Sequence, residues 1–250
     1  MGNGPRVLAN SFPKAGTNLL TAIFSAHPSF APRWTYHLEE NYGKFWKQVA
    51  SQRSGQLVSL HSKWSPEWCD ILAGSDQRMV FILRDLRDIA VSNHYYIMKD
   101  KSHRLHRYFT GLPDDKARLM ASIKGINSTE LGGAPGSLSL REHAEGFRGW
   151  LNTPDCYCVR FEDLIGPSGG GTEEKQINAL SGMFSYVGLS LKPDEIAGIC
   201  KTAVSPRSRT FRKGLIGDWQ NHLKDELKDF VKGEIGDLLI EFGYEKDTNW

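Results

Sequence analysis

One segment near the start of the chain combines a lysine, a glycine and a hydroxyl in an order that suits a bound anion. Ser11–Asn18 contains Lys14, Gly16 and Thr17, and it lies between an apolar run and a helical pattern. A loop at a helix N-terminus points backbone N–H groups at one place, and the helix dipole adds partial positive charge. The segment therefore predicts a phosphate loop. The alternative, which a lone glycine would favour, is an ordinary strand-to-helix turn whose lysine points to solvent.

A second candidate phosphate site runs from Arg84 to Ser92. Arg84 follows a continuous apolar run at residues 79–83, typical of a central parallel strand, at whose end ligands bind in open α/β folds. Ser92 lies two turns into the next predicted helix, on the same face as its start. Arginine and serine can then bind one phosphate through charge-assisted hydrogen bonds. A surface ion pair between Arg84 and Asp88, which would contribute little, is the alternative interpretation.

A third basic segment, Arg212-Lys213-Gly214, places two cations before a glycine. The residue types suit a phosphate clamp, and they fit a solvated turn equally well.

The elements that must position these segments alternate between strands and helices. Apolar runs predict strands at residues 6–11, 57–60, 79–83 and 156–161, and helical patterns occur at residues 18–26, 85–98, 141–151, 173–187 and 224–242. This alternation predicts an α/β fold in which one domain, residues 1–250, has a central parallel sheet flanked by helices. Residues 99–140 are polar and glycine-rich, and we expect them to form a partly mobile lid and not a separate domain.

The composition narrows the classes of partner. Lysine plus arginine (31) nearly balances aspartate plus glutamate (29), so a nucleic-acid partner is not expected. Since neither a signal peptide nor an apolar run of about 20 residues is present, we expect a cytoplasmic protein without a membrane partner. The cysteines have no zinc-binding spacing, so no metal is expected, and Cys156 and Cys158 are predicted to be buried and structural.

Taken in order, these segments resemble the motifs of the cytosolic-type sulfotransferases that use 3′-phosphoadenosine 5′-phosphosulfate (PAPS). Ser11–Leu19 is similar to the family's 5′-phosphosulfate loop, TYPKSGTTW, with Ala15, Asn18 and Leu19 in place of its Ser, last Thr and Trp. The segment from Arg84 to Ser92 is similar to the 3′-phosphate motif RDPRDVAVS. The resemblance covers roughly residues 6–245 and implies a P-loop-like sulfotransferase fold.

Two later segments carry the same resemblance. Residues 211–221 are similar to RKGxxGDWKN, which closes over the 3′-phosphate, and Phe161 begins a segment similar to YEDL, whose aromatic residue lies near adenine. The resemblance thus implies a PAPS site, with PAP as product, formed by Lys14, Ala15, Gly16, Thr17, Asn18, Leu19, Arg84, Ser92, Phe161, Arg212, Lys213 and Gly214.

The resemblance also selects His61 from the eight histidines of the chain. The family has its general base just after the corresponding strand, within KTHLP, and an unperturbed pKa near ~6.5 suits proton removal at neutral pH. Ser59 replaces the family lysine two residues earlier, which leaves Lys14 as the main group for stabilising the leaving phosphate. Lys63 is a candidate replacement for that lysine.

The implied function is transfer of a sulfuryl group from PAPS to a hydroxyl or amine of a small-molecule acceptor. Two alternatives remain: a phosphotransferase related to P-loop nucleotide kinases, although the Gly-Lys-Ser/Thr ending of their loop is missing, and a protein that binds PAPS or PAP without catalysis. The predicted lid, residues 99–140, would bind the acceptor, whose identity is left open. At residues 220–226, where animal members of the family carry a dimer motif, the sequence differs, which favours a monomer or weak homodimer.

Overall fold

The computed structural model describes residues 4–30, 35–38, 44–203 and 213–250. Within these ranges five strands form one sheet in the order β2-β3-β1-β4-β5, and every neighbouring pair is parallel. The strands are β1 (Arg6–Ser11), β2 (Thr35–Leu38), β3 (Leu57–Leu60), β4 (Gln77–Leu83) and β5 (Cys156–Arg160).

Helices connect these strands and extend the chain beyond them. They are α1 (Thr17–Ser25), α2 (Phe45–Ala50), α3 (Pro66–Ala73), α4 (Leu86–Lys99), α5 (His106–Gly111), α6 (Asp115–Lys124), α7 (Leu140–Arg148), α8 (Phe161–Leu164), α9 (Glu173–Tyr186), α10 (Pro193–Ala203) and α11 (Asp225–Glu241). The predicted α/β fold with a central parallel sheet flanked by helices is confirmed.

The chain divides into two compact units, of which the first comprises residues 1–84 and 147–216 and contains the whole sheet. One face of the sheet packs against helices α1, α8, α9 and α10, and buried side chains such as Val7, Ile82 and Phe184 fill the space between them. Both faces of the central strands are covered, since every residue of β1 except Arg6 and every residue of β4 except Arg78 is buried.

The second unit comprises residues 85–146 and 217–250. It contains α4, α5, α6 and α11, with a small apolar cluster of Ile97, Leu105, Phe109 and Ile126. The predicted lid, residues 99–140, therefore includes two helices and a bridge between Ile126 and Ser137. The sequence did not predict these two helices, because the segment is polar. The mobility of residues 99–140 and the assignment of residues 1–250 to a single domain stay predictions.

The sequence missed other elements as well, among them β2 and α10. The predicted strand at 156–161 ends one residue early, because Phe161 begins α8. The prediction that the two neighbouring cysteines are buried was wrong: Cys156 is half-buried and Cys158 is exposed. The physical reason is the position of β5 at the end of the strand order, where the sheet has a neighbour on one side only.

Asp88 organises the second unit through its carboxylate. It is 1% exposed. Its two oxygens accept hydrogen bonds from the backbone N–H groups of Gly217 and Trp219, both at 2.9 Å. These residues adjoin the one-turn helix Asp218–Asn221. The side chain therefore ties α4 to the segment before α11, and the surface ion pair considered from the sequence is not its role.

We expect Asp88→Asn to lower the free energy of unfolding by about 2 kcal/mol. The amide has one acceptor oxygen instead of two, so one buried N–H group would face an NH₂ group. Urea denaturation of both proteins measures the difference.

Asp229→Asn, at an exposed site on α11, is the matched control and should change stability by less than about 0.5 kcal/mol. Equal stability of Asp88→Asn and Asp229→Asn would contradict this role of Asp88.

Candidate functional site

The ends of β1 and β3 bring Ser11 and His61 together. The two strands are parallel neighbours with Ala9 opposite Ser59, so the residues two positions further along, Ser11 and His61, lie side by side. Residues opposite each other in a parallel pair project from the same face of the sheet, here the face that packs against α1. The sheet register thus places His61 beside the loop that leads into α1.

The hydrogen bonds of His61 define its tautomer. Its Nδ1 lies 3.0 Å from the backbone oxygen of Ser11 and 3.1 Å from the Ser11 hydroxyl. Because a carbonyl oxygen only accepts, Nδ1 carries the hydrogen and donates it. In the neutral ring Nε2 then has the lone pair, which is the form that a general base requires.

Three buried side chains hold the backbone directly after His61. The Asn10 side chain donates to the carbonyl of Ser62 and accepts from its N–H group, both at 2.9 Å. The indole of Trp68 donates to the Ser62 hydroxyl at 2.7 Å, and that of Trp150 donates to the Ser62 carbonyl at 3.0 Å. The position of His61 is therefore constrained on both sides, by Ser11 and by Ser62.

The environment of His61 favours its neutral form. Burial lowers the pKa of His61 to about 4, and the hydrogen bond to Ser11 only partly opposes this effect. Repulsion from His37 and Lys14 contributes to this low pKa. The ring is consequently unprotonated at neutral pH.

The loop after β1 is tightly turned. Lys14 has φ +71°, an uncommon backbone conformation for a residue with a side chain, and the N–H group of Ala15 donates to the carbonyl of Phe12 at 3.0 Å. Gly16, with φ +121°, caps α1 without a side-chain hydrogen bond, and no acidic residue lies in the first turn. The helix N-terminus therefore keeps its positive character, and Lys14 adds to it.

A hydroxyl pair connects this loop to His61. The Ser11 and Thr17 hydroxyl oxygens are 2.5 Å apart, and Thr17 is the first residue of α1. A continuous hydrogen-bonded path thus runs from the first turn of α1 through Ser11 to the His61 ring.

Arg84 joins the loop to two other parts of the first unit. Its guanidinium donates to the carbonyls of Lys14, at 3.4 Å, and Leu215, at 3.1 Å. It also lies 4.1 Å from the centre of the Phe161 ring. Because Arg84 is only 6% exposed, its charge acts in a site with little solvent screening.

Several predicted donor-binding residues come together in the first unit. Lys14, Ala15, Gly16, Thr17, Asn18 and Leu19 form the loop and first turn of α1, with Ala15 and Leu19 buried. Phe161 is also buried, and its ring lies against Gly16 and Arg84, so its predicted contact with adenine stays a prediction.

The other predicted residues are less closely defined. Lys213 is exposed and Gly214 is half-buried in the first unit, whereas Arg212 lies outside the described residues. Ser92 is buried on α4 in the second unit. Its joint action with Arg84 on one phosphate stays a prediction.

Sequence reasoning missed three residues that surround His61: Ser11 as its hydrogen-bond acceptor, Asn10, and His37. Asn10 and Ser11 end the predicted first strand and Ser11 begins the predicted phosphate loop, but no local pattern connected either residue with His61. His37 is on β2, a strand that was not predicted, so no pattern connected it with His61.

The donor set fits an anionic phosphate group better than a metal ion. It consists of a helix N-terminus, a lysine and an arginine, with no carboxylate among them. In the described parts of the chain, no cluster of three or more His, Cys, Asp or Glu side chains could hold a metal ion. None of the helices found there is long and apolar enough to cross a membrane.

We predict that Gly16→Ala destabilises the protein more than Gly188→Ala does. Both glycines have positive φ, so both changes introduce backbone strain. Only at position 16 would the added methyl also meet the Phe161 ring, at 2.8 Å, while position 188 has open space. The difference in unfolding free energy should be about 1–3 kcal/mol. Equal losses would mean that the loop does not pack against Phe161 as described.

No family model and no curated protein matches the sequence. Solved structures do match the fold. Mouse sulfotransferase SULT7A1, complexed with PAP, is 16% identical with a TM-score of 0.67, and the match covers 96% of this chain and 89% of that one.

Two structures of retinol dehydratase match as well. The complex with androsterone and the inactive cofactor PAP is 14% identical with a TM-score of 0.60, covering 94% of this chain and 80% of that one. The complex with retinol and PAP is 16% identical with a TM-score of 0.58, covering 94% and 82%. The chain therefore has the fold of the sulfotransferases.

Proposed function

We propose that this chain is a sulfotransferase that moves a sulfuryl group from PAPS to a small-molecule acceptor. The observation that carries the proposal is the hydrogen-bonded path from the first turn of α1 through Ser11 to His61. In this arrangement a neutral imidazole lies beside a positively charged loop that can bind an anion. Sulfuryl transfer to a hydroxyl needs both: a base for the acceptor proton and positive charge for the leaving phosphate. The PAP bound in the matching structures supports the same donor class.

The loop after β1 would bind the 5′-phosphosulfate end of the donor. Gly16 adopts the positive φ that the turn before α1 requires, and Lys14 supplies positive charge next to the first turn of that helix. Arg84, held by the Lys14 carbonyl, fixes the shape of this loop and adds charge. The 3′-phosphate would be bound by Arg84 and by the segment that contains Lys213 and Gly214.

His61 would act as the general base. Its Nε2 accepts the proton of the acceptor hydroxyl as the oxygen forms its bond to sulfur, and PAPS supplies the sulfuryl group. The bond between sulfur and the bridging phosphate oxygen breaks, and its electron pair stays on PAP. Lys14 would stabilise the negative charge that develops there, where positive charge lowers the energy of the transition state.

The acceptor would be a hydrophobic alcohol, phenol or amine. Androsterone and retinol, which occupy retinol dehydratase, are molecules of this kind and support the proposal. We place the enzyme in the cytoplasm as a monomer or weak homodimer that needs no metal and has no nucleic-acid or membrane partner.

We expect His61→Ala and Lys14→Ala each to reduce turnover by about 10²–10⁴-fold, since one removes the base and the other the leaving-group charge. Transfer from labelled PAPS to a panel of phenols, alcohols and amines, with chelator present, measures activity. Calorimetry with PAP measures donor binding, which His61→Ala should retain.

His143→Ala, at a half-buried histidine of α7 outside the predicted lid, is the matched control and should turn over like the wild type. A His61→Ala protein with wild-type kcat would refute the base assignment. PAP binding without transfer to any acceptor would instead indicate a binding protein, and use of ATP with magnesium would indicate a kinase.

The pH dependence of kcat/KM should reflect the low pKa of His61. Because the base is active when unprotonated, activity falls only as the pH drops toward the folded-state pKa of about 4. An unperturbed histidine would lose activity near pH ~6.5. We therefore expect constant kcat/KM between about pH 5.5 and 7.5 in a folded protein. A fall centred between about pH 6 and 7 would contradict the neutral, buried state of His61.

A further inference from the structure

His37 contacts His61 from the neighbouring strand. The two imidazole rings meet edge to face, with centroids 4.9 Å apart and an interplanar angle of 61°. In the register of β2 and β3, His37 lies opposite Ser59. Since Ser59 precedes His61 by two residues, the three side chains project from the same face of the sheet.

Ser59 holds the His37 ring in this place. Its hydroxyl lies 3.0 Å from Nδ1 of His37, and Ser59 itself is 7% exposed on β3. His37 is exposed, so it exchanges protons with solvent, whereas His61 is partly buried. His37 is therefore the ring of the pair that is more open to solvent.

The contact restricts the orientation of the His61 ring. The hydrogen bond from Nδ1 to Ser11 fixes one edge of the ring but leaves it able to tilt about that bond. The edge-to-face contact with His37 opposes the tilt, because the ring cannot move toward β2 without a clash. Three adjacent strands, β2, β3 and β1, thus determine where Nε2 points.

The same contact couples the charges of the two rings. In the described residues, the titratable groups that act on His61 are His37, on β2, and Lys14, in the loop after β1; Ser11 contributes a hydrogen bond and no charge. Two imidazolium ions about 5 Å apart repel by roughly 1–3 kcal/mol at effective dielectric constants between about 80 and 20. Only one of the two rings is therefore readily protonated.

We propose that His37 is a positioning residue for His61: anchored by Ser59, it fixes the His61 ring and, when protonated, keeps His61 in its neutral form. The coupling between the rings follows from their contact alone. Its effect on His61 as a general base rests on the proposed function. His37 would widen the acid range in which the base stays active.

The decisive experiment follows the His61 imidazole by NMR in protein labelled at histidine, with His61→Gln to assign the signal. We expect His37→Phe and His37→Gln to raise the titration midpoint of His61 by about one pH unit relative to wild type. His103→Gln, the matched control, should leave the midpoint unchanged. An unchanged midpoint in both folded His37 variants would overturn the proposal, whether or not the protein transfers sulfuryl groups.

Turnover separates the geometric part from the charge part. With PAPS and 2-naphthol as the probe pair, we expect His37→Gln to lower kcat about tenfold, because the ring that supports His61 is lost. His37→Phe keeps an aromatic ring and should retain most of kcat. The low-pH limb of its kcat/KM profile should shift to higher pH, as the NMR midpoint of His61 does. PAP affinity should be the same in all variants. Equal kcat in His37→Gln and wild type would overturn the positioning role, and absence of wild-type turnover would count against the proposed function alone.

Discussion

The arrangement of the site depends on one hydrogen bond, from Nδ1 of His61 to the carbonyl of Ser11. It forms because β1 and β3 are parallel neighbours whose ends come side by side. It determines the tautomer of His61 and so leaves the lone pair on Nε2. Asn10, two indole groups and the edge of His37 act on the same region, which indicates that the fold holds this ring in one orientation.

The phosphate loop shows a similar dependence on its surroundings. Lys14 adopts a left-handed backbone conformation, which costs energy for a residue with a side chain. The guanidinium of Arg84 donates to the Lys14 carbonyl, and Phe161 packs against Gly16, so the residue directly after β4 and the first residue of α8 maintain the strained turn. A buried arginine is itself costly unless it is hydrogen-bonded, and the two carbonyls accept hydrogen bonds from its two terminal nitrogens. Loop and arginine therefore stabilise each other.

Much of the fold followed from local patterns. The runs that became β1, β3 and β4 are buried on both faces, so their composition alone indicated central strands. Helices with a clear apolar face, such as α9 and α11, were also predicted within a residue or two. The sequence failed where the pattern is weak. β2 has the sequence TYHL and lacks the apolar run that marks β3, and α5 and α6 lie in a polar segment that becomes helical by packing on a small apolar cluster.

By itself, the sequence determined the chemistry available: a lysine and glycine before a helix, an arginine at a strand end, and a histidine after another strand. Those features depend on residue type and short spacing, which the chain carries locally. Only the tertiary structure decided which groups meet. The contacts of His61 with Ser11 and of His37 with His61 join residues 50 and 24 positions apart, and they exist because neighbouring strands share a register. Burial, which lowers the pKa of His61 to about 4, likewise arises only when the sheet and its helices pack.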